Sequence, residues 1–557
     1  MLGGDPSANV LGEVHLRIAT DGCAPNQRGI ALVAALLALV VAFALAGTFM
    51  ITTVGERSLT SNVHIARNAL FAADAGVRMS QQSLANMAQA KLDSLINFWP
   101  GNGPVIPNPQ GLFPAGNVVI TCASPRFTST AQITFADSVI ADTAQVYNYN
   151  YSIVASGGFG GFGARRVQSQ GVLRVSASHG TFADFLMFTD IQTFSDGGTI
   201  WFSSSGTFDG RVHSNGKFRF AYAPSFYDHV TSANLKATYY NRGSPKDLAS
   251  DHNGTIDVPN FYGGFQLNAP HVDLPANSNI QKNAALGLPT TAGVPTNAAI
   301  NAQIGVGGSG TPPNGIYVVN SGGAVTGGIY VQGTLDQCAL SVDSLGRQIY
   351  DMVQGATHRV ITVDSTSSVT TVTDGVTTTT FAGAPSGALF VNGTVSDLRG
   401  PERNGALVPP PAIASQTQLL ITATGDILIK RGVTCEEFDT GNNVLGIYSI
   451  GGNVRIHTSA PDDLYLDAFV MAIGSQGVFK VDNYSSGSPR GTFHLRGGMV
   501  SRYYGAFYTF NSSGEILSGY ARDFHYDRRG VVPPFYPSIN LFVADQPLAR
   551  TLVWKEL

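Results

Sequence analysis

Charge, cysteine and any cluster of catalytic side chains are what this sequence has least of. Asp, Glu, Lys and Arg make up 13% of its 557 residues, about half the share usual in soluble globular domains. A helical cytosolic enzyme is therefore a poor fit. The formal net charge is −4, without the basic excess that a nucleic-acid footprint requires, and no nucleic-acid partner is expected. Four cysteines, Cys23, Cys122, Cys338 and Cys435, lie far apart and form no C-x-x-C pair, which excludes the common zinc and thioredoxin spacings. No spaced histidine pair and no nucleophile elbow occurs, so no catalytic residue, cofactor or metal site is expected. Glycine, in contrast, is abundant at 64 residues. With many Thr, Ser and aromatic residues beside it, the composition suits short strands joined by tight turns. The length leaves room for two or more domains, or for one elongated β domain on a stalk.

Residues 30–54, IALVAALLALVVAFALAGTFMITTV, contain no charge. As a helix they span ~38 Å, enough to cross a ~30 Å hydrocarbon core with some tilt. The run is too long for a secretory h-region and lacks an A-x-A-like cleavage site. Beyond it no proline occurs before Pro100. Leu59, Val63, Ala66, Leu70, Ala73 and Val77 recur in alternating steps of four and three, and the stripe resumes at Leu84, Met87, Ala88, Leu92 and Leu95. One helix of ~100 Å over residues 30–98 is predicted, half in lipid and half outside. The outer stripe must be covered by the chain's own β domain or by neighbouring helices.

Three features now coincide in order: Arg28-Gly29 directly before the apolar run, the length of the helix, and AADAG at residues 72–76. Residues 28–77 resemble the N-terminus of PilX-type minor pilins of type IV pilus assembly. Arg28-Gly29 is similar to the junction that prepilin peptidase cuts after Gly, leaving the apolar helix on the mature protein. The resemblance thus implies a leader over residues 1–29 and processing between Gly29 and Ile30. Members of the family carry a run ending in AAEAG, and Asp74 stands here in place of the Glu. Ala34 occupies the position where major pilins carry a Glu associated with docking onto the preceding subunit. Its absence resembles tip-type minor pilins. The resemblance implies packing among other pilin helices through Ala34, Leu59, Val63, Ala66, Leu70, Ala73, Asp74 and Gly76. It also implies residence in the inner membrane before assembly, with the head outside the cytoplasm. The leader sets Arg17 and Arg28 against Asp5, Glu13 and Asp21, less basic than a positive-inside flank normally is. A start chosen too far upstream, within residues 1–20, would account for that. Cleavage after Gly29 would leave three cysteines, enough for one disulfide of undetermined pairing.

Residues 99–117 are rich in Pro and Gly and are expected to link stalk and head. Residues 118–180 alternate in the strand manner and read as a pilin-like β-sheet region, with the glycine run at 157–163 as a hairpin loop. Residues 181–311 mix strands and loops. Within them GTFDGRVHSNGKFRF, residues 206–220, is the most distinctive string. His213, Ser214, Asn215 and Gly216 read either as a His-centred ligand site or as a strand–turn–strand. In the second reading, which is favoured, Asn215-Gly216 makes a hairpin turn and His213 bonds the backbone. Together with residues 259–265 and GYARDFHYDRRGVVPPFYP near the C-terminus, the string resembles an uncharacterised domain family that follows PilX-like N-termini in bacterial proteins.

From residue 312 onward short β-rich units recur. Gly425, Gly452, Gly477 and Gly498 are separated by 27, 25 and 21 residues. Coils of that length without helices predict a parallel β-helix over 312–557, with a β-sandwich as the alternative. A Thr-rich hairpin turning at Asp374-Gly375 and an extended loop over 397–415 interrupt it. Two acidic clusters, Glu436, Glu437 and Asp439, and Asp462, Asp463 and Asp467, could in principle pair for glycoside hydrolysis. They are expected instead to be solvated loop charges. The aromatic residues crowding 503–536 are expected to cap the open end of the solenoid rather than to bind sugars. The expected whole is an α+β chain, a transmembrane and stalk helix carrying a mainly β head. Its expected role is a non-enzymatic minor pilin-like component of a type IV pilus or related secretion filament, displaying its head at the tip toward a surface or polysaccharide ligand. The rival expectation is a membrane-anchored β-helical polysaccharide-active enzyme or adhesin.

Overall fold

A computed structural model describes residues 28–97, 104–113, 117–121, 126–141, 144–159, 162–204, 206–511 and 515–557. The leader thus lies outside the described residues up to residue 27, as do residue 98 of the expected helix and residues 99–103 and 114–116 of the expected linker. The chain is one long apolar N-terminal helix followed by a large, mainly β region, an α+β arrangement.

The helix runs Arg28–Asn97 over 70 residues without a break, as a proline-free run permits. Its apolar half is exposed throughout, long and apolar enough by length and composition to cross a membrane. Burial begins at Ala69 and continues through Ala73, Val77, Leu84, Ala88 and Leu92, steps of four and seven that keep one face inward. That face lies on an antiparallel sheet. The strands Asn117–Thr121, Phe127–Ile140, Ala144–Phe159 and Phe162–Thr181 follow one another as a meander. Tyr147, Tyr149, Tyr151, Ile153 and Ala155 alternate toward the helix, joined by Leu173, Val175 and Ala177 from the next strand, as the two-residue period of a strand dictates.

The sheet does not end where the sequence suggests. The chain's last strands, Ser538–Ala544 and Leu548–Glu556, return to pair antiparallel with Phe162–Thr181, Val543 facing Ser178 and Leu548 facing Arg174. The expected head over 312–557 therefore gives up its final segment to the sheet. A strand's own pattern records which residues face inward but not which distant strand it meets, so this return is invisible locally.

The rest of the β region is dominated by parallel ladders. In the longest, one inward row runs Ile329, Leu389, Ile421, Ile447, Val470, Met499, Met187, Val212, Val230 and Phe265, each the register partner of the next. A second row stacks Val395, Ile427, Val454 and Phe479. A third stacks Leu466, Leu495 and Phe524. The glycine spacings of 27 and 25 reappear as the Ile427–Val454 and Val454–Phe479 steps. The spacing of 21 does not, because the adjoining step is Leu466 to Leu495, 29 residues. The row also crosses the expected boundary at 312: strands between 187 and 266 extend the same ladder past Met499.

Two excursions leave the ladders. Residues 267–311 carry the short helices Asn279–Ala285 and Asn297–Gln303, and Ala285, Leu286 and Ile300 pack on Tyr330 and Phe390. Residues 337–382 form a five-strand antiparallel meander. Its last hairpin turns at Gly375-Val376, one residue later than expected, with Asp374 facing Thr377 and Gly375 at φ +59°, a conformation glycine adopts freely.

Candidate functional site

The helix-packing residues divide into two groups. Gly29 lies in the first turn, and Ile30, Ala34, Leu59 and Val63 are exposed. Ala66 and Leu70 are half-buried, while Ala73 and Gly76 are buried against the sheet. Small residues make the contact close. A Cβ added at Gly76 would come within 2.8 Å of the Phe127 ring, and one at Gly157 within 2.2 Å of the Ala69 carbonyl oxygen. Gly157 begins the glycine run read above as a hairpin loop. It lies instead in the strand Ala144–Phe159, pressed against the helix backbone at Ala69 and Ala73. Asp74 ties the helix to the far end of the chain: its Oδ2 accepts from Arg78 Nε at 2.9 Å and its Oδ1 from Trp554 Nε1 at 3.1 Å. Two turns on, Gln81 Nε2 donates to Tyr151 Oη at 2.7 Å and to Thr551 Oγ1 at 2.8 Å.

The string around His213 forms no hairpin. Val212–Ser214 is the middle strand of a parallel ladder, with Met187–Ile191 on one side and Val230–Ser232 on the other. Parallel neighbours cannot be joined by a two-residue turn, so Asn215-Gly216 instead rounds a corner. His213 is buried with its ring stacked on Phe188, centroids 5.1 Å apart. Asn215 Oδ1 accepts from Val272 N at 2.9 Å, while its Nδ2 donates to Val272 O at 2.8 Å. That network fixes the histidine tautomer: Nε2–H donates to Asn215 Oδ1 at 3.0 Å, and Nδ1 accepts from the Thr231 hydroxyl at 2.7 Å. Burial lowers the His213 pKa to about 4, so the ring is neutral. Ser214 Oγ accepts from Thr189 Oγ1 and from Gly216 N, both at 3.0 Å. A Cβ at Gly216 would meet Gln192 N at 2.5 Å. The four residues lock a corner and fasten the segment at Val272 to it.

The acidic clusters are not merely solvated. Asp467 is buried and pairs with Arg496, Nη2 to Oδ2 2.5 Å, while also accepting from Cys435 N at 2.9 Å. Arg496 and Arg529 sandwich the Phe438 ring, each 3.9 Å from its centroid. Asp462 goes elsewhere, to Arg490 at 3.2 Å, and lines a cavity of about 320 Å³ with Glu402, Arg403, Arg431 and Tyr465. A second cavity, about 370 Å³, is walled by Asp93, Asp184, Arg211, His213, His229 and Phe542. Among the described residues no group of three His, Cys, Asp or Glu side chains could hold a metal ion. Cys338 and Cys435 are buried free thiols, and Cys122 lies outside the described residues.

The late aromatic residues cap no open end. Phe507 and Phe524 pack with Phe479 and Phe493 inside the core, centroids 5.3 to 5.9 Å apart. The strand Pro489–Tyr503 is covered beyond by Ile516–Tyr526 and Met187–Ile191, so the ladder continues past it. Open aromatic surface occurs elsewhere. Tyr222, Tyr227 and Tyr262 are exposed, Tyr227 stacks on Tyr262 at 4.9 Å, and Tyr222, Tyr240 and Trp201 form a separate row. Sequence reasoning missed this row, since single aromatic residues tens of positions apart carry no local signal.

No curated protein and no solved structure matches the chain. One family does: DUF4900, a domain of unknown function, matches residues 146–234, a span that runs from the helix-facing sheet strands through the His213 corner.

Proposed function

We propose that the chain is a minor pilin-like structural component of a type IV pilus or a related secretion filament, its large β head displayed at the tip. One observation carries the reading. A single unbroken helix has an exposed apolar half over residues 30–54 and a half fixed to the chain's own sheet through Ala69, Ala73, Gly76 and Gly157. A helix so held offers its free half first to lipid and then to other helices of like kind, because both environments accept an all-round apolar surface without disturbing the head. The resemblance of residues 28–77 to PilX-type minor pilins supports prepilin peptidase as the processing partner and the inner membrane as the site before assembly. Ala34, exposed and uncharged, supports an initiating or tip position. The in-register parallel rows support reading the head as a β-helix, in which stacked coils share one apolar interior. Asp462 and Asp467 are each engaged by their own arginine, which favours a binding and structural role over polysaccharide cleavage.

The reading is tested at the N-terminus. In a cell with prepilin peptidase, N-terminal sequencing of the membrane-bound protein is expected to begin at Ile30, and Gly29→Val is expected to abolish that processing. An unprocessed wild-type chain in such a cell would sink the proposal.

A further inference from the structure

The sheet beneath the helix has a second face, turned away from it. Asn150, Gln170 and four cations on that face, Arg166, Arg174, Arg550 and Lys555, are all exposed, so no described element packs there. Their direction follows from the two-residue period of the strands. Arg166 and Arg174 adjoin Val167 and Leu173, which are buried toward the helix. Arg550 lies opposite Val172 and Lys555 opposite Gln168, on the same outward side. None of the four cations makes an ion pair among the described residues, whereas Arg165, on the helix side of the same strands, is neutralised by Glu556 at 2.9 Å.

Register sets the spacing. Lys555 is the diagonal neighbour of Arg166, and Arg550 that of Arg174, so the cations form two pairs whose centres lie ~20 Å apart along the strands. Between the pairs stand Gln168, Gln170 and Val172, with Asn150 and Ser152 on the next strand and Val553 on the last. No aromatic side chain is among them. The acids lie at the margins and are engaged: Asp137 accepts from Asn148 Nδ2 at 2.6 Å and Asp545 from Ser178 Oγ at 2.9 Å. Gln168 Nε2 donates to Ser152 Oγ at 3.1 Å. The amides of Gln168 and Asn148 thus spend an N–H within the face, and their carbonyl oxygens are left to accept from a ligand.

We propose that this open face binds a linear acidic polysaccharide lying along the strands, its acid groups on the two cation pairs and its hydroxyls on the amides between them. Four uncompensated cations on a chain of net charge −4 are a local attraction for a polyanion. The amides decide which polyanion. Sugar hydroxyls both donate and accept, so they satisfy amide carbonyls as well as amide N–H groups. A phosphodiester backbone offers acceptors alone. A neutral glycan would call for aromatic rings to stack on, and a protein partner for an aromatic or apolar anchor in a pocket. This face has neither. The inference gives the chain a ligand beyond the filament reading and does not rest on it.

Interferometry of the full-length protein in detergent over immobilised polygalacturonate, dextran sulfate, neutral dextran and duplex DNA tests it. The wild type is expected to bind polygalacturonate or dextran sulfate, the two arms separating carboxylate from sulfate as the acid group, and to leave dextran unbound. Raising the salt is expected to weaken that binding. Arg174→Gln combined with Arg550→Gln is expected to raise Kd by about tenfold or more. Both side chains are exposed, so the thermal midpoint is expected to stay within about 2 °C of the wild type. Arg242→Gln combined with Lys246→Gln, which removes two exposed cations away from the sheet, is expected to leave Kd within about twofold. Failure to bind either acidic glycan overturns the proposal, as does binding that survives the paired substitution in the sheet. Duplex DNA held as tightly as the glycans overturns it as well. Correct processing at Gly29 alongside failed glycan binding would remove the ligand and leave the filament reading standing.

Discussion

His213 combines a polar ring with an apolar setting. Its ring is stacked on Phe188 and bonded at both nitrogens, and burial is the chief reason its pKa falls to about 4. The consequence for stability has a definite sign. Above pH ~6.5 the imidazole is neutral in both folded and unfolded chains and costs nothing. Between that value and about 4 the unfolded chain takes up a proton that the folded chain refuses, so stability falls as the pH drops. The loss attributable to this one group approaches about 3 kcal/mol at the acid end. His525 acts in the opposite sense: its bond to Asp209 raises its pKa, so its contribution is present at low pH and lost as pH rises past the folded value. Denaturant midpoints at pH 8 and pH 4.5 check the first effect. His213→Gln is expected to lower stability at pH 8 but to shrink the difference between the two pH values, and an unchanged difference would refute the assignment. The motif stood out in the sequence, but its role did not. The residues that surround it, Phe188, Thr231 and Val272, come from ladder partners and a crossover that no local pattern announces.

At the scale of elements, the helix and its sheet meet through missing side chains. Gly157→Ala would push a methyl into the helix backbone, 2.2 Å from Ala69 O and 2.3 Å from Ala73 N. Neither neighbour is the movable end of a side chain, so a loss of about 3 kcal/mol is expected. Gly158→Ala, whose added carbon meets nothing within 4 Å, is expected to change stability by less than about 0.5 kcal/mol. Thermal melts of the two variants in parallel decide the matter; equal effects would mean that the close approach carries no energy. The helix itself was legible, because its stripe from Ala66 to Leu95 repeats at the period of the element that forms it. The glycine run was misread for the converse reason. Glycine marks turns and close contacts alike, and only the position of a second element tells them apart.

The whole molecule is closed at two places by segments made last. Leu548–Glu556 completes the sheet over Phe162–Thr181, and Trp554 and Thr551 reach back to Asp74 and Gln81. Deleting residues 546–557 is therefore expected to strip hydrogen-exchange protection from the helix over 69–92 and from the strands over 144–181. The parallel ladder around Ile421, Ile447 and Val470 is expected to keep its protection, and uniform loss across both regions would contradict this division. The general character of the molecule, an apolar helix carrying a β head, followed from composition and periodicity. Its closure did not, since register between strands hundreds of residues apart leaves no trace in either strand.

The second closure lies at Met187, which seats against Met499 and so joins the first strands of the ladder to the last. A chain emerging from its N-terminus can form the parallel strands near 187–266 early, but their apolar edge waits uncovered until residue 500 has been made. The sheet beneath the helix waits longer still, for residue 556. Contacts of such long sequence separation form slowly and leave edges open meanwhile. The order of synthesis and the order of completion thus run opposite ways. While that lasts, the apolar helix carries an unfinished head, and a prematurely ended chain would stay open at both seams.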